Sequence, residues 1–428
     1  MSEDLLKAFQ EAYRNLELLP LLDQRELDKF RVDFGHEIIE ELEQLVEDSP
    51  SGDGKIIFTG HRGCGKSTLL AEFSRYCSDR YFVVFFSISD TIEMSDVNHI
   101  NILFAIAVKL MEEAEKHQVQ IPDSTKKTFY RWFATKTRIE EEKFSAESSV
   151  GFDLFKLISG KLKADAAVRN EIKQEFERKI SELVERINEI AAVITMSSKK
   201  EVLVIIDDLD KLELSRVNDI YRDNIKALCW PQFRIIYTIP IAVLRDKFLR
   251  PLIETETNDQ IVVMPVIKLF EKGASRQPNA VPRQEASEIL CQILKKRISE
   301  QLLEPEAADK IVLQSGGVLR ELIRLANECC RICLRLIRRQ PEQLDLKIDD
   351  EILDKAVNNI RNDFAIPLGK TDYAILQTTY EQFIPDDPKQ PEFLDLLHGL
   401  YVLEYRNRQN WYDVHPIVID LLREQGLI

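Results

Sequence analysis

At 428 residues the chain is too long for one small domain and, at about 150 residues per domain, should hold two to four. Its 44% hydrophobic and 31% charged residues exclude a wholly disordered chain, and 58 Lys and Arg against 73 Asp and Glu leave a net charge of −15, which excludes whole-protein attraction to nucleic acid or an anionic membrane. No apolar run approaches the roughly 18 residues of a membrane helix, the start MSEDLLKAFQEAY lacks a basic region followed by an apolar one, and the seven cysteines are odd in number and scattered, so a cytoplasmic protein with reduced thiols and no membrane contact is expected.

Taken in chain order, apolar periodicity predicts two lead-in helices within residues 1–50, roughly 3–16 and 24–48, with Gly35 a point where the second breaks. KIIFTG then reads as a short buried strand running into a glycine-rich loop and a helix, STLLAEFSRYC, and YFVVFFSIS as a second strand. The next helix, in SDVNHINILFAIAVKLMEEAEKH, is expected to be capped by Asp96 or Ser95. Residues 118–163 are irregular and of mixed charge and read as an insertion, either a partner surface or a solvated decoration; 165–195 reads as one long amphipathic helix, so that the inserted stretch at about 118–200 is largely helical. Strands follow at 201–207, 233–239 and 260–266, and strands alternating with helices imply an α/β core with a parallel sheet covered on both faces, here residues 51–270. A polar linker at 271–284 leads to an all-helical region at 285–362 and a last compact unit of helices and a hairpin at 366–428, with the hairpin turn at Asn407–Gln409.

Gly60, His61, Arg62, Gly63, Cys64, Gly65, Lys66 and Ser67 match G-x-x-x-x-G-K-[ST] in full, followed by Thr68, between a predicted strand and a predicted helix. Glycines let successive N–H groups face phosphate oxygens, and the helix N-terminus adds its dipole. Lys66 is expected at the β- and γ-phosphates and Ser67 on Mg²⁺, which makes ATP and Mg²⁺ the expected cofactors; His61 and Cys64 occupy free positions and read as loop fillers. VLVIIDDLD at 202–210 delivers Asp207 and Asp208 at the C-terminal end of a central strand, where ligands of open α/β sheets bind. Asp207 is the candidate metal partner and Asp208 the candidate that polarises the attacking water, against the alternative of a capped turn before a helix near Leu214. Thr238 ends the next strand, where its hydroxyl could meet the γ-phosphate or that water. Arg320, three residues after Gly317 at a helix start, could report the γ-phosphate bidentately. On the same helix Arg320, Arg324, Arg331, Arg335 and Arg338 form a basic stripe, read as solvated or intraprotein in preference to a nucleic-acid track, opposite an apolar face that takes Cys329, Cys330 and Cys333 as core.

Together these residues resemble the AAA+ ATPases of the origin-recognition, replication-initiator type and the related STAND ATPases of prokaryotes: GHRGCGKST is similar to their Walker A, VLVIIDDLD to Walker B, Thr238 to sensor 1, and Gly317 with Arg320 to sensor 2. The resemblance implies an αβα P-loop NTPase core at 51–270, a helical lid at 285–362, a winged helix at 366–428, and DKFRVDFG packing near adenine. Walker B ends Asp-Asp where vigorous hydrolases have Asp-Glu, which implies slow turnover, and Arg245 and Arg250 are the only arginine-finger candidates. The unit 366–428 carries five cations against ten carboxylates, with only Arg406 and Arg408 on the hairpin to meet a phosphate backbone. The expectation is therefore an ATP switch acting with a protein partner, in a prokaryotic defence or signalling setting and with a homo-oligomer in view; the rival is a DNA-binding initiator or loader. A strip of Tyr401, Leu403 and Tyr405 on the first hairpin strand is either part of the partner surface or packed inward on the unit's own core.

Overall fold

The computed structural model describes residues 2–49, 53–138, 150–340, 345–406 and 409–428. The chain divides into two compact units, one of residues 1–36, 60–68 and 264–428, the other of 37–59 and 69–263. This cuts across the four segments read from the sequence, because the glycine-rich loop clusters with the N-terminal and C-terminal helices, not with the sheet that precedes it.

The second unit holds a five-stranded parallel sheet in the order β2-β3-β4-β1-β5, with β1 at Lys55–Gly60, β2 at Tyr81–Ser87, β3 at Glu201–Asp207, β4 at Arg234–Pro240 and β5 at Ile261–Met264. β3 lies between β2 and β4, in register from Tyr81 opposite Glu201 to Ser87 opposite Asp207 and from Leu203 opposite Arg234 to Ile206 opposite Tyr237. Its central position explains the unbroken apolar run, since Val202 to Ile206 are buried on both faces.

The helix expected to be capped by Asp96 or Ser95 starts later, at His99–Lys116, with Asn98 as its cap accepting the Asn101 N–H at 3.0 Å; Met94–Asp96 forms a separate 3₁₀ turn. The stretch read as irregular contains helices Asp123–Thr137 and Val150–Ala164. They are no solvated decoration: Phe129, Phe133, Phe155, Ile158 and Leu162 join Phe104 and the sheet in one apolar core. The long helix read over 165–195 is two, Ala166–Phe176 and Ile180–Ser198, broken at a turn closed by Lys179 N–H to Phe176 O at 3.1 Å. Their apolar stripes continue across the turn, which hid it from periodicity.

The second lead-in helix is also split: Gln24–Phe30, in the first unit, ends before Gly35, whose φ is +78°, and the next helix, His36–Glu47, belongs to the second unit from Glu37 on. Helix Ser2–Asn15 packs on Leu319–Arg339, where Asn327 Nδ2 donates to Tyr13 O and Leu16 O at 3.3 and 3.1 Å. After helices Gln284–Lys295, Pro305–Gln314, Leu319–Arg339 and Asp350–Ala365 come Lys370–Gln382 and Pro391–His398, then the antiparallel hairpin β6 (Val402–Arg406) and β7 (Asn410–Val414), and helix Pro416–Glu424. Asn407 and Arg408 lie outside the described residues. The alternating strip on β6 faces inward: Leu403 is fully buried with Val266, Val318 and Leu400, Tyr405 stacks on Trp411 at 4.5 Å, and Tyr401 meets the edge of Phe364. Among the described residues no helix is long and apolar enough to cross a membrane.

Candidate functional site

β1 passes its chain into the loop through Gly60, and the helix Lys66–Cys77 begins at the lysine. Gly60, Gly63 and Gly65 have φ of +154°, +77° and +102°, conformations that side chains rarely adopt. Space enforces the same choice. A Cβ on Gly63 would stand 2.3 Å from Arg320 Cβ, and one on Gly60 2.5 Å from Met264 O. Lys66 is 4% exposed, and its ammonium donates to Gly60 O at 3.0 Å and His61 O at 2.8 Å. Ser67 is half-buried in the first helical turn, and the Thr68 hydroxyl accepts the Leu21 N–H at 3.1 Å. In the lead-in segment Phe34 stands near Gly65, with the Arg31 guanidinium over its ring at 4.6 Å.

Arg320 is exposed, and its backbone N–H donates to Gly63 O at 2.9 Å, so the first turn of Leu319–Arg339 is fastened to the loop. Its stripe partners are partly neutralised: Arg324 pairs with Glu321 and Asp363, and Arg331 grips Glu328 with two bonds at 2.5 and 2.6 Å. Cys329, Cys330 and Cys333 are buried; burial pushes all three thiols up, Cys333 to about 12, as expected of core residues. On the hairpin, Arg406 is held by the buried Glu404 carboxylate at 3.0 Å.

The other set of candidate residues lies at the end of β3. Asp207, Asp208 and Asp210 are all buried, with one oxygen from each inside a 4.8 Å cluster, a hard-oxygen set of the kind Mg²⁺ takes. Asp210 was not singled out from the sequence. Asp208 has φ +70°, a left-handed conformation that Asp tolerates, and it opens a 3₁₀ turn over Leu209–Lys211. Its Oδ2 accepts the Ser87 and Ser89 hydroxyls, each at 2.7 Å, and its Oδ1 pairs with Lys211 at 2.5 Å. Burial pushes this carboxyl up, but the bonds from Lys211, Ser87 and Ser89 outweigh it and hold the group below its ordinary range. Asp208 is therefore an ionised carboxylate already engaged by three donors. No motif or spacing marks the two serines, which lie about 120 residues upstream of the carboxylate they meet.

Thr238 differs from expectation. It is fully buried, its hydroxyl donating to Ile206 O at 3.1 Å and accepting the Leu209 N–H at 3.0 Å. Both hydroxyl functions serve the β3 turn, so the residue shapes the carboxylate cluster. Arg250 is tied to Glu254 at 2.6 Å, and Arg245 ends a 3₁₀ turn over Ile241–Arg245. His61, read as filler, is 1% exposed, and its Nε2 accepts the Glu404 N–H of β6 at 2.7 Å.

Residues 36–232 match the KAP family P-loop domain. The matched span contains the whole loop and all three aspartates, and it ends before Thr238 and Arg320. No curated protein matches the chain. The chain thus carries a P-loop NTPase domain, the domain type that binds a nucleoside triphosphate and hydrolyses it.

Proposed function

We propose that the chain is an ATP-dependent switch of low turnover that works with a protein partner, similar in plan to the STAND and initiator-type AAA+ ATPases. The observation that carries this is the complete phosphate loop, set between strand and helix inside the matched P-loop domain. In this reading the loop amides and Lys66 receive the phosphates. Mg²⁺, to which Ser67 would offer a hydroxyl and Asp207 a carboxylate, would supply charge neutralisation at the phosphates. Asp208 orients the attacking water, Thr238 holds the turn that presents it, and Arg320 distinguishes ATP from ADP.

Slow turnover follows from Asp208, because a carboxylate accepting two hydroxyls and an ammonium is a weak acceptor for a water proton. The Ser87→Ala/Ser89→Ala double variant should hydrolyse ATP several-fold faster with nucleotide affinity within about twofold of wild type, a change of order one hydrogen bond. Steady-state phosphate release checks this; unchanged turnover would detach the serines from catalysis. Asp208→Asn should bind nucleotide and release no phosphate.

A protein partner is favoured over DNA because several of the arginines that a phosphate backbone would need are engaged by carboxylates: Arg324 by Glu321 and Asp363, Arg331 by Glu328 and Arg406 by Glu404. Titrating a fluorescent duplex with the whole chain at low salt, with and without ATP, should give no saturable signal. Sub-micromolar binding that weakens with salt would replace the switch by the initiator reading.

A further inference from the structure

We infer that His61 is a coupling residue through which the C-terminal hairpin controls the phosphate loop, and that the clasp it forms opposes nucleotide binding. The inference rests on the nucleotide role proposed for the loop and names how that role is regulated.

The argument starts from the hairpin ladder. Glu404 faces Tyr412 across β6 and β7, and the Tyr412 N–H points away from β6, to Phe383 O at 2.9 Å. Glu404 and Tyr412 therefore form a non-hydrogen-bonded pair, and the Glu404 N–H also points outward, from the other edge. A buried edge N–H needs an acceptor, and the one it has is the His61 imidazole, 343 residues away in sequence. Accepting at Nε2 requires the neutral ring with its proton on Nδ1.

The same residue holds Lys66. The His61 carbonyl takes the Lys66 ammonium at 2.8 Å while the His61 side chain takes the hairpin. The hairpin is in turn fastened to the turn before the helix that carries Arg320: the Tyr405 hydroxyl donates to Gly316 O at 3.1 Å, and the Arg320 N–H returns to Gly63 O. Residue 61 is thus fixed by its side chain in the conformation whose carbonyl keeps Lys66 turned into the loop. Phosphates compete for that ammonium, so whatever frees His61 from β6 favours nucleotide. By linkage, nucleotide loosens the clasp equally.

The test uses the whole chain. His61→Phe removes the acceptor at similar volume, His61→Gln keeps an acceptor, and Glu404→Pro removes the donor at an outward N–H that the ladder does not use. Both clasp-breaking variants should bind a fluorescent ATP analogue about three- to tenfold tighter, the worth of one uncharged hydrogen bond, and should not add when combined; His61→Gln should stay near wild type. In wild type, saturating Mg-ATP should lower hydrogen-exchange protection of the Glu404 amide. If wild type binds nucleotide but that protection is unchanged and both variants bind within twofold of it, the coupling is overturned while the nucleotide site stands. If folded wild type binds no nucleotide, the site reading falls, and the coupling with it.

Discussion

Lys66→Ala should bind ATP and ADP at least about 100-fold more weakly than wild type while remaining folded. The ammonium is the loop's own cation, 4% exposed, and bonds of a charged group to phosphate oxygens contribute about 1.5–3 kcal/mol each, so losing two reaches that factor. There is a structural cost to separate from this. Gly60 O and His61 O lose the donor they share, about 1–3 kcal/mol if water does not replace it. Lys66→Met loses the ammonium and its donated bonds as alanine does but keeps the buried apolar stem, so the two variants should differ in melting temperature through packing alone and agree in nucleotide affinity. Isothermal titration with and without Mg²⁺, beside a thermal melt, reads both quantities. Wild-type affinity in either folded variant would remove the loop from nucleotide binding altogether.

How much of this was legible in the sequence depends on how local each requirement is. The loop was readable because its demands fall within eight residues: glycines where φ is positive, a lysine and a hydroxyl at the helix start. β3 was readable because a strand buried on both faces needs a continuous apolar run. The carboxylates after it followed from the same strand. What failed was set by distant partners. Ser87 and Ser89 meet Asp208 from about 120 residues upstream, and nothing in their spacing records it. His61 looked like filler because its partner is a backbone N–H, which any residue at 404 would offer. Thr238 was placed at the correct strand end, but its hydroxyl faces the β3 turn, a choice made by the β3–β4 register. Within the insertion read as largely helical, the individual helices Asp123–Thr137 and Val150–Ala164 escaped notice because Phe129, Phe133 and Phe155 point into a shared core among charged neighbours, giving weak periodicity along the chain.

Gly317→Ala should be among the most damaging single substitutions in the first unit. Gly317 was read from sequence only as the first residue of G-x-x-R, but its φ is +82° and a Cβ there would lie 1.8 Å from Ile267 O and 2.9 Å from Ile267 C. Both are backbone atoms, so no side-chain rotation relieves the clash, and the left-handed backbone alone costs about 1 kcal/mol for alanine. With the required backbone shift the loss should reach about 3 kcal/mol or more. The damage should also be functional. Helix Leu319–Arg339 starts two residues later, and the Arg320 N–H that fastens it to Gly63 O moves with that turn. ATP affinity should therefore fall along with the melting temperature. Gly160→Ala is the matched control: Gly160 lies within the helix Val150–Ala164, an added Cβ meets nothing within 4 Å, and alanine there should stabilise by about 0.5–1 kcal/mol without touching nucleotide. Equal melting temperatures for the two variants would mean that the close approach at Gly317 relaxes freely, and the helix start would then be too soft for Arg320 to report a phosphate.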